Sequence, residues 1–197
     1  MMAALHRWSQ LALQLLVLLG MALLHPAGAD NRDQCGTTPQ QFPARSGLYA
    51  IVTGMEHSGT TILSRLLMCD PKLMGAFECG VLLAETPSRM PEVTPFYEWL
   101  QVTPQVFHWG VPRTEISGLL NATCHSDMYQ FLRAHSPVMA NGELVLDKTP
   151  KYVYELKAVM DRAPSVPVVV VRKQHDAEKL SWTARGISLA TFNARWQ

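Results

Sequence analysis

An α/β fold in three layers, a mainly parallel central sheet flanked by helices, is predicted by two patterns and one composition. Short apolar runs rich in β-branched residues alternate with stretches whose apolar residues recur at helical spacing. The first such run passes through a glycine loop directly into the first helix, as a buried strand does when the next helix covers it. Hydrophobic residues make up 48% of the 197 and charged residues 17%, which suits a chain that buries a core rather than one that stays disordered.

Residues 1–29 stand apart from that fold. Arg7 precedes an apolar run over 11–24, and Ala27-Gly28-Ala29 comes just before Asp30. A weakly positive start, a short apolar stretch and small residues at a cleavage position predict a secretory signal peptide. A membrane span needs about 20 apolar residues, so an uncleaved signal anchor is the alternative, and it would be the chain's only link to a membrane. Residues 30–47 are rich in Pro, Gly, Gln and Asp and are expected to form a lead-in segment with no element of its own.

The domain then occupies 48–197. Leu48-Tyr49-Ala50-Ile51-Val52 reads as a strand buried on both faces, ending at Thr53-Gly54. A helix over 60–68 follows, with Ile62, Leu63, Leu66 and Leu67 at helical spacing and Asp70-Pro71 to stop it. Residues 74–77 are a second short strand. The stretch 81–141 is broken by Pro87, Pro91, Pro95, Pro104, Pro112 and Pro137, and only a helix over 126–134 is legible in it; Phe96, Tyr97 and Trp99 are expected in the core. Regularity returns with a strand at 144–146, a helix over 151–162, a strand at 166–171 and a helix over 177–185.

Charge narrows the partners. The formal net charge of +1 comes from Arg7, and from Asp30 onward basic and acidic residues balance, so bulk charge supports no nucleic-acid or polyanion partner. Cys35, Cys69, Cys79 and Cys124 permit up to two disulfides in an oxidising compartment. Their spacing has no zinc pattern, and no metal is expected. Asn121-Ala122-Thr123 is an N-glycosylation acceptor sequence.

The chemistry is concentrated in Gly54-Met55-Glu56-His57-Ser58-Gly59-Thr60-Thr61, between strand and helix. Two glycines five apart allow a tight loop whose N–H groups wrap an anion at a helix N-terminus. A nucleoside-triphosphate loop would carry lysine where this chain has Thr60, so a P-loop kinase is the weaker reading. Hydroxyls and amides without that lysine suit a single phosphate, in a P-loop-like fold.

Two further blocks accompany the loop. Val168-Val169-Val170-Val171-Arg172 is followed by Ser181, and Asp147-Lys148-Thr149-Pro150 lies between. In this order the three resemble the donor-binding elements of sulfotransferases that use 3′-phosphoadenosine-5′-phosphosulfate, most closely the Golgi-type enzymes, which include the tyrosylprotein sulfotransferases. The resemblance implies that His57, Ser58, Gly59, Thr60 and Thr61 surround the donor's 5′-phosphosulfate and that Arg172 and Ser181 hold its 3′-phosphate. It further implies Glu78 as general base and Lys148 as the cation at the bridging oxygen. The acceptor would be a carbohydrate or a protein tyrosine in the secretory pathway, in the Golgi lumen or outside the cell.

The chain departs from the family pattern in three places. His57 replaces the usual Arg or Lys, and is expected to donate to the sulfuryl oxygens best when protonated in a mildly acidic lumen. Arg172 and Ser181 are nine apart rather than eight, so either a bulge intervenes or Ser181 is not a ligand. The family pattern also continues beyond the second phosphate element, which makes a fragment or minimal form the matching expectation. A non-catalytic sulfotransferase-like protein that binds or regulates a partner is the alternative function.

Overall fold

An apolar run buried on both faces needs a partner on each side, and the run at 48–54 has both. The computed structural model describes residues 41–101 and 108–196. The expected signal peptide or anchor, Cys35 and most of the lead-in segment lie outside the described residues. Helix α1 (Gln41–Ser46) leads into β1 (Leu48–Gly54), followed by α2 (Thr60–Leu67) and the short β2 (Leu73–Met74). The proline-rich stretch holds 3₁₀ turns at Val81–Leu83 and Pro87–Val93, then α3 (Phe96–Trp99), α4 (Ile116–Leu120) and the longer α5 (His125–His135). Then come β3 (Leu144–Lys148), a 3₁₀ segment at Pro150–Glu155, α6 (Leu156–Arg162), β4 (Val168–Val171), α7 (His175–Thr183) and α8 (Leu189–Trp196).

The strands run in the order β2-β3-β1-β4, and every pairing is parallel. The fold is therefore three-layered α/β with a wholly parallel sheet, as the alternation of strand and helix predicts. Leu48, Ile51 and Val145 face the larger core, built from Phe42 of α1, Met128, Tyr129 and Leu132 of α5, and Val159 of α6. Ala50, Val52 and Leu146 face the other side, where Leu63 and Leu67 of α2 cover them together with Met68. Only half of the apolar set on α2 is used there: Ile62 and Leu66 remain 63% and 58% exposed. Among the described residues no helix is long and apolar enough to cross a membrane.

The structure corrects several sequence expectations. Residues 41–46 of the lead-in segment are helical, because Phe42 inserts into the core and Arg45 reaches Asp127 of α5 at 2.5 Å. Composition does not reveal that tertiary anchor. The strand expected at 74–77 is only Leu73–Met74, and it ends at Gly75, where a Cβ would lie 2.3 Å from the Leu146 carbonyl oxygen. The helix expected over 151–162 begins as a 3₁₀ segment, in which Tyr152 turns inward to a buried carboxylate. The strand expected at 166–171 is Val168–Val171, and among the described residues it pairs with β1 alone, at the sheet edge, with Val170 42% exposed. Cys69 and Cys79 are free while Cys124 is disulfide-bonded, so four cysteines leave room for one bridge, not two. Asn121 is exposed at the end of α4.

Candidate functional site at the strand ends

In a parallel sheet all C-terminal strand ends share one edge, and ligands of open α/β folds bind there. Every residue singled out in the sequence except Ser181 lies at or just beyond such an end. His57 to Thr61 follow β1, Glu78 follows β2, Lys148 closes β3, and Arg172 follows β4. Adjacent strands are about 4.8 Å apart, so four separate chain segments converge on one sheet edge.

The loop after β1 begins at Gly54, whose φ of 150° leaves no room for a side chain: a Cβ would sit 2.2 Å from the Val171 carbonyl oxygen. Gly59, at φ 110°, caps α2, and its carbonyl accepts from Ile62 and Leu63 N–H. The first-turn N–H groups precede any helical acceptor and point out of the helix toward the loop. Ser58 is 4% exposed, and its Oγ is buried without a hydrogen-bond partner among the described residues. That hydroxyl lies against Gly54, 2.9 Å from where a Cβ would be. A buried hydroxyl without a partner costs about 1–3 kcal/mol, and an anion in the loop would satisfy it. Thr60 is buried beside it, while Thr61 is exposed and faces the adjoining cleft.

His57 takes a positive φ of 70°, its carbonyl accepts from Lys173 Nζ at 2.6 Å, and its ring meets Trp182 edge-on at 5.8 Å. Burial and then Arg185 lower its pKa, Glu56 pulls the other way, and Lys173 adds a smaller lowering. The neutral ring therefore persists to more acidic pH than an ordinary histidine, which works against the expected protonated donor. Lys173, which the sequence reading passed over, supplies a fixed cation at the same place. Its signal was available: it directly follows Arg172 at the end of an apolar strand.

Glu78 and Lys148, 70 residues apart, form a salt bridge with Lys148 Nζ donating to Glu78 Oε1 at 3.0 Å. Lys148 is nearly buried at 6% side-chain exposure, and Glu78 is at 18%. Burial raises the Glu78 pKa, Lys148 acts in the opposite direction, and the Glu56 and Asp147 charges add smaller increases. Glu78 is thus a partly desolvated carboxyl whose upward shift its lysine partner restrains. Lys148 also lies 4.7 Å over the Phe77 ring and lines a cleft of about 350 Å³ with Thr61, Ser64 and Arg65 of α2 and Met68 just after it. The cleft thus runs from the start of α2 to Lys148, the partner of Glu78.

Arg172 and Ser181 lie on the β4–α7 side with separate partners. The Arg172 guanidinium is 5.9 Å over the Trp196 ring, whereas Ser181 Oγ accepts from Arg185 at 3.0 Å. Helix α8 reaches back to the loop, where Arg195 pairs with Glu56 at 2.8 Å and Tyr154 donates to the same carboxylate at 2.6 Å. Trp182 Nε1 donates to the Glu56 carbonyl at 2.8 Å and to Glu178 Oε1 at 3.2 Å.

Glu178 is fully buried, its Oε2 has no partner among the described residues, and burial raises its pKa. A folded-state pKa above the unfolded one contributes stability at pH below the unfolded value and loses it as pH rises through the folded value. Glu178→Gln is therefore expected to match the parent near pH 4 and to be more stable by about 1 kcal/mol at pH 8. Urea melts at the two pH values read this, and an equal difference at both would exclude it.

No protein-family model matches this chain, and no curated protein or solved structure matches it either.

Proposed function

We propose that this protein is a sulfotransferase of the secretory pathway, moving a sulfuryl group from 3′-phosphoadenosine-5′-phosphosulfate to a hydroxyl of a carbohydrate or protein-tyrosine acceptor. The observation that carries the reading is the partnerless buried hydroxyl of Ser58 in a lysine-free glycine loop at the start of α2. Lys148 in the adjoining cleft, paired with Glu78, supports it.

In the proposed reaction the acceptor hydroxyl enters along the cleft and gives its proton to Glu78. Its oxygen bonds to sulfur as the bond from sulfur to the donor's 5′-phosphate oxygen breaks, and adenosine 3′,5′-bisphosphate leaves. Lys148 moves from Glu78 to that leaving oxygen, where negative charge develops. The pairing in the resting site fits both roles, since Lys148 opposes the burial that raises the Glu78 pKa. Loop N–H groups and Ser58 take the 5′-phosphate. Lys173 stands where charge compensation is needed and His57 supplies little. Arg172, always charged and able to contact phosphate through two N–H groups, takes the 3′-phosphate.

Calorimetric titration with adenosine 3′,5′-bisphosphate, against 5′-AMP and ATP, tests the donor site. The bisphosphate is expected to bind selectively, and Arg172→Ala to weaken it about tenfold while leaving AMP unchanged. Equal binding of AMP and the bisphosphate would remove the 3′-phosphate site and with it the reading. Preference for ATP with magnesium would favour a kinase.

The lowered His57 pKa favours a second reading, a non-catalytic protein that keeps the nucleotide site. Selective bisphosphate binding without donor turnover would decide for it.

A further inference from the structure

Behind the Glu78–Lys148 pair lies a second carboxylate that the proposed chemistry does not use. Asp147 is fully buried, and hydroxyls hold it: Tyr129 and Tyr152 donate to Oδ2 at 2.6 and 2.8 Å, and Thr149 donates to Oδ1 at 2.8 Å. Two of those hydroxyls lead onward. The Tyr152 oxygen accepts the Leu82 N–H at 3.1 Å, and the Thr149 oxygen accepts the Gly80 N–H at 3.3 Å. Both arms end on the backbone immediately after Glu78. Tyr129, from α5, lies near enough to Cys79 to feel its charge, but its hydroxyl bonds to Asp147 and not to the backbone of that segment.

Strand geometry explains why one residue anchors and the next presents. Successive strand side chains point to opposite faces. Asp147 pairs in register with Ile51, which faces the larger core, and Lys148 with Val52, which faces the side covered by α2. The carboxylate is thus embedded in the core while the ammonium stands in the cleft. The segment beyond Glu78 is confined from its other side too: Gly80, at φ 61°, packs so tightly that a Cβ would lie 2.3 Å from the Phe96 ring.

We propose that Asp147 is a positioning residue for the Glu78–Lys148 pair: through Tyr152 and Thr149 its carboxylate ties the segment after Glu78 to the end of β3, holding Glu78 Oε1 at 3.0 Å from Lys148 Nζ. A buried network whose members are all bonded is stiff, and stiffness matters here because the two paired residues come from segments 70 positions apart, a loop and the end of β3. The consequence for turnover rests on the sulfotransferase reading. The geometric tie does not.

Tyr152→Phe removes the arm to Leu82 and keeps the ring and the Asp147 charge. Tyr129→Phe removes an equal hydrogen bond from the same carboxylate oxygen but no arm, and Thr149→Val removes the second arm should the first variant fail to fold. Two readouts are needed. One is titration of the Glu78 carboxyl by ¹³C NMR, assigned with Glu78→Gln; the groups facing it are Lys148, Glu56 and Asp147. The other is kcat and donor KM, with bisphosphate affinity measured in parallel.

Tyr152→Phe and Thr149→Val are expected to move the Glu78 titration upward, because the carboxyl drifts from Lys148, and to lower kcat about tenfold or more. Donor KM and bisphosphate affinity stay within about twofold by the same argument. Tyr129→Phe is expected to lower the melting temperature but leave the titration and kcat as in the parent. If the arm variants and Tyr129→Phe behave alike, the network is merely structural and the proposal is overturned. Should the parent neither bind the bisphosphate nor turn over donor, sulfuryl transfer is lost as a function, and the Glu78 titration alone decides the positioning role.

Discussion

Lys148→Ala is expected to lower turnover about 10²–10³-fold, the usual loss when one donor to developing charge is removed. It is also expected to cost the fold about 3 kcal/mol, because truncating one partner of a buried ion pair leaves the other charge without compensation. The stranded group is Glu78, whose pKa burial already raises and whose charge Lys148 now offsets. Without the lysine that pKa rises further, so the deficit is largest at high pH and shrinks as pH falls and the carboxyl takes a proton. Adding Glu78→Gln to Lys148→Ala removes the stranded charge. Most of the stability is expected to return and none of the turnover, since base and cation are then both gone. Urea melts at pH 5 and pH 8 with single-turnover assays on parent, single and double variants separate the two effects. A stable, active Lys148→Ala protein would remove the pair from both the fold and the mechanism.

Gly54→Ala is expected to cost about 3 kcal/mol or more and to abolish bisphosphate binding. Two penalties add there: backbone at φ 150°, and a methyl 2.2 Å from the Val171 carbonyl oxygen. The obstacle is backbone of the neighbouring strand, so relief requires β4 to move away from β1, taking Arg172 with it. Gly59→Ala provides the comparison. Its φ is 110°, but a Cβ there meets nothing within 4 Å, so only conformational strain of about 1–2 kcal/mol is expected. Denaturant midpoints for the two variants read the difference directly. Equal losses would mean that the Gly54–Val171 approach is not what sets the loop.

Much of the fold is legible in the sequence because its causes are local. The apolar run at 48–52, the glycines at 54 and 59, and the helical spacing of Leu63 and Leu67 each act within a few residues, and strand, loop and helix appear where those patterns place them. The strand at Leu144–Lys148 and the helix at His125–His135 follow for the same reason. What the sequence hides is anchored at long range. Helix α1 depends on Phe42 finding the core and Arg45 finding Asp127, 82 residues away. The proline-rich stretch has no single period because its short helices and 3₁₀ turns are held by the side chains they meet.

The candidate site divides along the same line. Residue types and spacing pointed to the glycine loop, a local motif between strand and helix, and the resemblance to sulfotransferases implied Arg172, Glu78 and Lys148. Only the tertiary structure decided that Glu78 and Lys148 touch, that Lys173 rather than His57 supplies positive charge beside the loop, and that Asp147 stands behind the pair. Pairing, burial and the pKa shifts that follow depend on distances between residues far apart in the chain. Those distances come into being when parallel strands from separate segments align their C-terminal ends on one edge of the sheet.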